Sequence, residues 1–273
     1  MTDPCTAEMV KYGSNAFLAT KISFINELAR ICEHLGANVD IVAQGMGMDD
    51  RIGSRFLRAG AGFGGSCFPK DVRALAAMAR TAGVDTNMLN AVLDINSAMR
   101  QLVVDKVESH LGALCGKTVA VLGLAFKPDT DDIRDAPALT VIEMLLAGGA
   151  RVRATDPVAV PNVRAEFPGL DYRPHAYSAA TGCDAVVLMT EWEEYRRLDL
   201  SRLANSMRGR VLVDARNALQ PAEARAVGLI YEGMGRSYTH LVVRSARRTA
   251  LAAGTEATSE QSSTWQDAAA YVV

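Results

Sequence analysis

The hydrophobic period of the chain changes at Lys117, and this change constrains the fold more than any other feature. Before it, apolar residues recur at spacings of three and four, as at Ile22, Ile25, Leu28 and Cys32, which is the pattern of an amphipathic helix. After it come short apolar runs of strand length, separated by polar loops and helical segments. We therefore predict an α/β fold, with a helical first part followed by a mostly parallel sheet.

The first predicted domain, residues 1–112, is helical. Its first long helix is expected to stop at Gly36, because glycine commonly ends helices. A second long helix is predicted from about residue 86 to residue 111, just before Gly112. Such a helix between two halves of a protein can connect them and contact a second copy, or it can be one more core helix.

The second predicted domain, residues 113–244, alternates strands with helices. Buried strands are predicted at 118–122, 151–154, 185–189 and 211–213, with a helix at 138–146. Residues 245–273 are rich in Ala, Thr, Ser, Gln and Glu and have no sustained period, which predicts a flexible tail.

Composition argues against several function classes. The 273 residues include 29 basic and 31 acidic side chains, so no excess charge points to nucleic acid or an anionic membrane. No apolar run reaches membrane-spanning length, and the N-terminus is too polar for a signal peptide. The five cysteines are odd in number, scattered and without a CxxC pair, which argues against a disulfide framework and a zinc site. We expect no metal and a reducing, cytoplasmic location.

Cys67 is the strongest candidate for chemistry, because it stands in the string GGSCFPKD at residues 64–71. Pro69 favours the first turn of a helix, so the thiol should lie at the positive end of a helix dipole. Lys70 adds a second positive charge, and both would favour the nucleophilic thiolate. The alternative is a small buried cysteine beside a turn.

Three further polar residues point to the same chemistry. Lys11 and Asn15 are four residues apart on a predicted helix, so both side chains project from one face. Beside a pocket, the ammonium of Lys11 could stabilise an oxyanion while the Asn15 amide held a water. Asp71 could accept hydrogen bonds at the helix start or act as a base on water. The alternative for the Lys11–Asn15 pair is a solvated helix face.

Gly60, Gly62 and Gly65 match the pattern GxGxxG, the dinucleotide-binding fingerprint. That fingerprint functions only where it follows a strand and begins a helix within a βαβ unit. The preceding residues, 50–58, are charged and lack a buried-strand pattern. We interpret these glycines as a loop that passes close to a ligand.

A polar loop at residues 123–134 follows the first predicted strand of the second domain. In open α/β sheets, ligands bind outside the carboxyl ends of the strands. Lys127 and Arg134 would suit the oxygens of a phosphate or pyrophosphate there. The alternative is a solvated loop whose charges neutralise one another.

Four segments, AEMVKYGSNAF at 7–17, DRIG at 50–53, FGGSCFPKD at 63–71 and GLAFKP at 123–128, resemble the UDP-glucose/GDP-mannose dehydrogenase family in the same order. The resemblance extends from about residue 3 to about residue 240. It implies a helical central domain that dimerises, followed by a Rossmann-like parallel α/β domain that binds the nucleotide sugar. FLRAG at 56–60 resembles the UDP-glucose branch more than the GDP-mannose or UDP-N-acetylhexosamine branches.

The resemblance implies an enzyme that oxidises UDP-glucose to UDP-glucuronate in a four-electron reaction with two NAD+ in succession. Cys67 would form a thiohemiacetal with the intermediate aldehyde and then a thioester that water hydrolyses. Lys11 would stabilise the C6 oxygen, and Asp71 with Asn15 would handle the water and its protons. GDP-mannose and a UDP-N-acetylhexosamine are the alternative substrates.

The resemblance also implies binding roles. Lys70 and Arg134 would lie on the NAD side, and Arg51 would reach the substrate of a neighbouring subunit, which implies a homodimer around the long helix. The nucleotide-sugar site would include Lys11, Phe56, Leu57, Arg58, Ala59, Gly60, Gly64 and Lys127.

Members of the family carry an N-terminal NAD-binding domain with the GxGxxG fingerprint, and we expect this sequence to begin after that domain. Two interpretations follow. The chain is either the substrate-binding, nucleophile-bearing portion of a dehydrogenase that works with a separate NAD-binding domain, or a non-catalytic nucleotide-sugar-binding or dimerisation module.

Overall fold

The computed structural model describes residues 2–236, which lie within one compact unit. Its first half is helical, as predicted, and its second half is a parallel α/β sheet, so the predicted fold class is confirmed. The first four helices are α1 (Pro4–Leu35), α2 (Val39–Gly47), α3 (Phe68–Thr81) and α4 (Asn87–Leu111).

Local sequence signals set both ends of α1. Asp3 is the N-cap, and its side chain accepts a hydrogen bond from the Thr6 backbone N–H, with Pro4 in the first turn. Gly36 takes the left-handed conformation at φ 74° and donates its N–H to the Cys32 carbonyl. The predicted stop at Gly36 is confirmed.

Helix α4 matches the long helix predicted for residues 86–111. Its buried side chains include Met99, Val103 and Val107, and it packs on α1, α3, α5 and strand β5. One face of the helix therefore packs between the other helices and the sheet, while its polar face is exposed.

Six parallel strands form one sheet in the order β3-β2-β1-β4-β5-β6. The four predicted strands are confirmed as β1, β2, β4 and β5, and the helix predicted at 138–146 is α5. The strands are β1 (Thr118–Leu122), β2 (Arg151–Thr155), β3 (Asp171–Tyr172), β4 (Ala185–Leu188), β5 (Val211–Asp214) and β6 (Ile230–Gly233). The remaining helices are α5 (Pro137–Ala147), α6 (Val160–Glu166), α7 (Ala176–Ala180), α8 (Glu193–Arg196), α9 (Leu200–Ser206) and α10 (Pro221–Ala226).

This strand order is that of a Rossmann-type sheet, and it reverses direction between β1 and β4. The loops that follow β1, β4 and β5 therefore meet at one edge, beside the switch point. A crevice at such an edge is the usual ligand site of an open parallel sheet.

One hydrophobic core runs from α1, α2 and α4 into the sheet. A smaller cluster of Ala16, Ala19, Phe63, Val72 and Val92 joins α1, α3 and α4 beside the cysteine loop. The domain limits 1–112 and 113–244 stay a prediction. The predicted tail, residues 245–273, lies outside the described residues.

Among residues 2–236, no helix is both long and apolar enough to cross a bilayer. The same residues contain no group of three or more His, Cys, Asp or Glu side chains arranged to hold a metal ion.

Candidate functional site

Cys67 is the N-cap residue of α3, and its side chain is exposed. Pro69 lies in the first turn, as predicted, so the thiol stands at the end of the helix where unpaired backbone N–H groups point outward. Gly65 precedes it in the left-handed region at φ 83°. A side chain at Gly65 would place its Cβ 2.7 Å from the ring of Phe126, so the loop passes against the polar loop after β1.

Asn96 on α4 holds the cysteine loop in place through two hydrogen bonds to the backbone of Phe63. It accepts a 2.7 Å hydrogen bond from the Phe63 N–H and donates a 3.0 Å hydrogen bond to the Phe63 carbonyl. The Gly65 N–H donates to the carbonyl of Arg134 at 2.8 Å. The loop is therefore held between α4 and the segment after β1, which gives the thiol a defined position.

The structure brings Lys11, Asn15 and Asp71 together, as the sequence analysis expected. The Asn15 amide donates a 2.6 Å hydrogen bond to Asp71 Oδ2, and Lys11 Nζ lies 3.8 Å from the same oxygen. Lys70 Nζ forms an ion pair with Asp71 Oδ1 at 3.0 Å. Asp71 follows Cys67 by one helical turn, and its N–H donates to the Cys67 carbonyl at 2.8 Å, so the buried carboxylate and the exposed thiol belong to the same first turn of α3.

Burial of Asp71 raises the pKa of its carboxyl, but its partners outweigh that effect. The contacts from Lys70 and Asn15, together with the charges of Lys11 and Lys70, hold the pKa of Asp71 below its usual value. Asp71 is therefore ionised at neutral pH.

Lys70 and Arg134 are two cations near the cysteine loop: Lys70 lies in the first turn of α3, and the Arg134 carbonyl accepts from the Gly65 N–H. The pairing with Asp71 raises the pKa of Lys70, with a smaller contribution from the thiol. Arg134 makes a bidentate contact to Asp132, with Nη2 and Oδ2 2.7 Å apart, and this pairing raises its pKa. In the structure, Lys70 pairs with Asp71. Its contact with NAD, which the resemblance implies, stays a prediction.

A cleft of about 830 Å³ lies between the cysteine loop, helices α1 and α2 and the loops after β1, β4 and β5. Phe68, which follows the thiol, lines it, whereas Cys67, Lys11, Asn15 and Asp71 are not among its lining residues. Five of the predicted substrate residues line the cleft: Phe56, Leu57, Arg58, Gly64 and Lys127.

Ala59, Gly60 and Arg51 lie elsewhere. Ala59 lines a smaller neighbouring cavity. Gly60 is buried, its N–H donates to Asn26 Oδ1 at 2.9 Å, and a Cβ there would lie 2.8 Å from the Ala215 carbonyl. Arg51 pairs with its neighbour Asp49 and has a side chain that is 89% exposed, so its predicted role toward a partner subunit stays a prediction.

Arg216 is a cleft residue that the sequence analysis missed. It follows β5, and its guanidinium donates to the carbonyls of Met189 at 2.8 Å and Gly62 at 2.9 Å. Burial lowers the pKa of this guanidinium, and Glu191 lies 3.7 Å from it. The sequence did contain a signal for Arg216, because it comes just after a buried strand, where parallel sheets carry their ligand-binding side chains.

Residues 2–236 do not form the strand, glycine loop and helix start that bind the pyrophosphate of a dinucleotide. No strand precedes the GxGxxG match at residues 60–65, which confirms its interpretation as a loop. After β1, helix α5 does not begin until Pro137, so no helix N-terminus follows Gly123 directly. Asp156, at the end of β2, accepts hydrogen bonds from the N–H groups of Leu124 and Ala125 and is buried, so its carboxylate is not available to a ribose.

A Rossmann-type sheet with a cleft at its switch point, next to a thiol at a helix start, defines a nucleotide-binding protein with a candidate nucleophile. Comparison with known families makes this class specific. Residues 5–98 match the central domain of the UDP-glucose/GDP-mannose dehydrogenase family, and residues 120–221 match the UDP-binding domain of the same family. The chain belongs to this family.

Known relatives agree. UDP-glucose 6-dehydrogenase TuaD of Bacillus subtilis is 47% identical over 232 residues, which cover 85% of this chain and 50% of the relative. UDP-glucose 6-dehydrogenase of Pseudomonas aeruginosa is 48% identical over 237 residues, or 84% of this chain and 52% of the relative. The solved UDP-glucose dehydrogenase of Pyrobaculum islandicum superposes with a TM-score of 0.79 at 40% identity, covering 86% of this chain and 52% of that one. The chain thus spans about half the length of the relatives it matches.

Proposed function

We propose that this chain carries the nucleotide-sugar site and the thiol nucleophile of an NAD-dependent UDP-glucose 6-dehydrogenase. The observation that carries the proposal is the exposed Cys67 at a helix start, one turn from the ionised Asp71 and next to a cleft at the sheet edge. The reaction oxidises the C6 primary alcohol of UDP-glucose to the carboxylate of UDP-glucuronate.

Cys67 acts after the alcohol has become an aldehyde. Its thiolate adds to the aldehyde carbon and forms a C–S bond, and the oxygen takes up a proton to give a thiohemiacetal. Loss of that proton and of a hydride from the carbon then gives a thioester. NAD+, when bound, accepts the hydride in each of the two oxidations.

Asp71, Asn15 and Lys11 act on the oxygens. Water adds to the thioester carbon while Asp71 accepts one of its protons, and collapse of the adduct breaks the C–S bond to release the carboxylic acid and the thiolate. The acid then loses its remaining proton to solvent and becomes the carboxylate. The Asn15 amide, which donates to Asp71 at 2.6 Å, orients that carboxylate. The Lys11 ammonium, 62% exposed, is free to approach the C6 oxygen while it carries negative charge.

Lys70 and Arg134 are the described groups that we assign to the phosphates of NAD, because both are cations on the segments that border the cysteine loop. The fingerprint that would hold the pyrophosphate is not formed by residues 2–236. A separate N-terminal NAD-binding domain is therefore part of the proposal, as a partner or as a linked domain.

The cleft supplies the nucleotide-sugar contacts. Lys127 and Arg216 are its cations near the sheet edge, suited to the two phosphates, and the segment 56–60 lies along the same cleft. UDP-glucose is the proposed substrate because relatives named UDP-glucose 6-dehydrogenase match this chain at 46–48% identity. GDP-mannose and a UDP-N-acetylhexosamine remain the alternatives.

We also propose a homodimer, but around α1 rather than around the long helix α4. Helix α1 exposes Val10, Phe17, Phe24 and Ile31, spaced seven residues apart along one edge. This spacing is typical of a helix that packs along another helix. On α4, by contrast, the one large apolar side chain that is exposed within this described helix is Met88.

The loop with Arg51 is attached to the same helix. Lys21 on α1 donates to the carbonyls of Ile52 at 2.8 Å and Gly53 at 3.2 Å. A second copy packed on α1 would therefore lie near Arg51, which supports its proposed reach into the partner's substrate site. We also propose a cytoplasmic location, because all five cysteines are unpaired.

The proposal is tested by acid formation in an enzyme completed with the NAD-binding half of a relative such as the Pseudomonas aeruginosa protein. We expect NADH and UDP-glucuronate from UDP-glucose, and little of either from GDP-mannose. Cys67→Ser should abolish net acid formation, with circular dichroism as the control for folding. Undiminished acid formation by the Cys67→Ser variant would refute the assignment of Cys67 as the nucleophile.

A second candidate function is a non-catalytic nucleotide-sugar-binding or dimerisation module. It is favoured because residues 2–236 do not form a dinucleotide-binding loop. Binding of UDP-glucose without any turnover in the completed enzyme would favour this candidate. Failure to bind any nucleotide sugar would reject both functions.

A further inference from the structure

Asp135 follows the polar loop after β1, and its backbone takes the left-handed conformation at φ 49°. Residues other than glycine avoid this region, although aspartate and asparagine tolerate it better than most. Such backbone persists where surrounding contacts hold it, and it is concentrated at functional sites. Asp129, in the same loop, has a similar backbone at φ 61°, but its side chain is exposed and has no hydrogen bond or ion pair within residues 2–236. The two residues thus share a conformation but differ in their contacts.

Two arginines hold Asp135 from different helices. Arg73 on α3 makes a bidentate contact to its carboxylate, with Nη1 and Oδ2 3.0 Å apart and Nη2 and Oδ1 3.3 Å apart. Arg100 on α4 donates from Nη2 to the backbone carbonyls of Asp135 and Phe63, at 3.3 Å each. Its Nη1 donates to Thr140 Oγ1 on α5 at 3.0 Å. The guanidinium of Arg100 therefore bridges the cysteine loop and the segment after β1.

The cysteine loop lies directly against Asp135. A Cβ at Gly64, three residues before the thiol, would overlap the Asp135 carbonyl, so the backbone approaches closely at this point. The next residue, Gly65, donates its N–H to the Arg134 carbonyl at 2.8 Å. Two successive residues of the cysteine loop thus rest on residues 134 and 135.

The ion pair between Arg73 and Asp135 joins the helix that carries the thiol to one wall of the cleft. Arg73 lies on α3, six residues after Cys67. At the other end of the segment, Phe126 lines the cleft and donates its N–H to the Asp132 carbonyl at 3.1 Å, which closes the segment into a compact loop. The place of the thiol relative to the cleft therefore depends on the contacts of Asp135.

We propose that Asp135 is a positioning residue that sets the place of the Cys67 thiol relative to the cleft, with Arg73 and Arg100 as its partners. Asp135 acts through the cysteine loop and touches no reacting atom. Its catalytic consequence rests on the proposed dehydrogenase function, whereas the anchoring of the loop does not.

Hydrogen exchange of the full chain, followed by mass spectrometry, tests the anchoring. Asp135→Asn removes the charge of the ion pair but keeps a side chain that tolerates the left-handed backbone. Because Arg73 and Asp135 are partly exposed, its loss should loosen the loop without unfolding the protein. We expect exchange in a peptide covering residues 63–68 to become at least about threefold faster.

Asp129→Asn is the matched control, because it makes the same substitution on the same loop and in the same backbone conformation. Its exchange in the peptide 63–68 should stay within about 1.5-fold of that of the unaltered chain, as expected for an exposed residue without contacts. Equal exchange in the two variants would overturn the anchoring.

Kinetics of the enzyme completed with the NAD-binding half of a relative test the catalytic consequence. We expect Asp135→Asn to lower kcat for acid formation at least about tenfold and to change KM for UDP-glucose less than about threefold, because a displaced thiol misses the reacting carbon while the nucleotide contacts remain. Arg73→Gln should reproduce part of this loss, and Arg73→Lys should restore part of it.

An unchanged kcat in Asp135→Asn, or a loss confined to KM, would overturn the positioning role. Absence of turnover in the unaltered completed enzyme would count against the proposed function alone, and hydrogen exchange would still decide whether Asp135 anchors the loop.

Discussion

Asp71 combines burial with charge, and this combination explains its place in the site. No part of its side chain reaches solvent, yet Asn15, Lys11 and Lys70 all contact it. A carboxylate that is ionised and held on several sides has a fixed direction for accepting a proton. The two lysines remain more than half exposed and can respond to a ligand without unfolding the cluster.

Replacing Asp71 should alter stability in a pH-dependent way. The folded-state pKa of Asp71 lies below its usual value, so its contribution to the free energy of unfolding is complete above about pH 4 and is lost as the pH falls through the lowered pKa. We predict that Asp71→Asn lowers the free energy of unfolding by about 1–2 kcal/mol at pH 7. Urea unfolding should show this difference narrowing below about pH 4.

Asp85→Asn is the control, because Asp85 is exposed just before α4. It should change the free energy of unfolding by less than about 0.5 kcal/mol at either pH. An Asp71→Asn loss that stays constant from pH 7 to pH 3 would contradict an ionised Asp71.

The cysteine loop depends on a close approach to the segment after β1. Gly65 and Gly53 both have positive φ, 83° and 66°, but only at Gly65 would a Cβ meet a neighbour, the Phe126 ring at 2.7 Å. Phe126 lines the cleft, so a shift of its ring changes the site itself.

Alanine substitutions at these two glycines separate backbone strain from contact. We predict that Gly53→Ala lowers the free energy of unfolding by about 1 kcal/mol, from the left-handed backbone alone. Gly65→Ala should lose at least about 1 kcal/mol more, because the ring must move, and should also weaken UDP binding. Urea unfolding and calorimetry measure both effects. Equal losses and unchanged UDP affinity would show that the loop does not need this contact.

Local sequence patterns predicted most of the helices and strands, but they could not predict the contacts between residues that are distant in the sequence. The strands at 118–122 and 185–189 and the helix end at Gly36 depend on period and on glycine, which neighbouring residues determine. The two-residue strand β3 has too few residues to show a period. Asn96 contacts Phe63 across 33 positions, and Arg216 contacts Gly62 across 154, so only the folded chain brings these pairs together.

The helical half and the sheet share one core, which leaves α1 as the long element with an uncovered apolar edge. At about 1.5 Å per residue, its 32 residues span about 48 Å, a length sufficient for an extended helix pair. The sequence analysis offered the long helix α4 as the dimer contact or as one more core helix, and its buried face packs on the sheet and the other helices. We therefore propose the contact on α1, whose apolar edge is exposed.

Two aspartate substitutions distinguish the two helices as dimer contacts. Phe24 on α1 is 46% exposed and Met88 on α4 is 69% exposed. We predict that Phe24→Asp converts the dimer to a monomer in light scattering, because a buried unpaired charge is costly at an interface, whereas Met88→Asp leaves the dimer intact. If Met88→Asp dissociated the dimer and Phe24→Asp did not, the result would contradict the contact on α1 and support one on α4.

The most direct test of the central claim is the rate at which a small alkylating reagent modifies Cys67 with and without UDP-glucose. Cys5 and Cys115 are also exposed and serve as internal controls in the same mass spectrum. We predict that saturating UDP-glucose slows modification of Cys67 and leaves the rates at Cys5 and Cys115 unchanged, because the sugar C6 lies against the thiol. Equal rates at Cys67 with and without bound UDP-glucose would contradict the account.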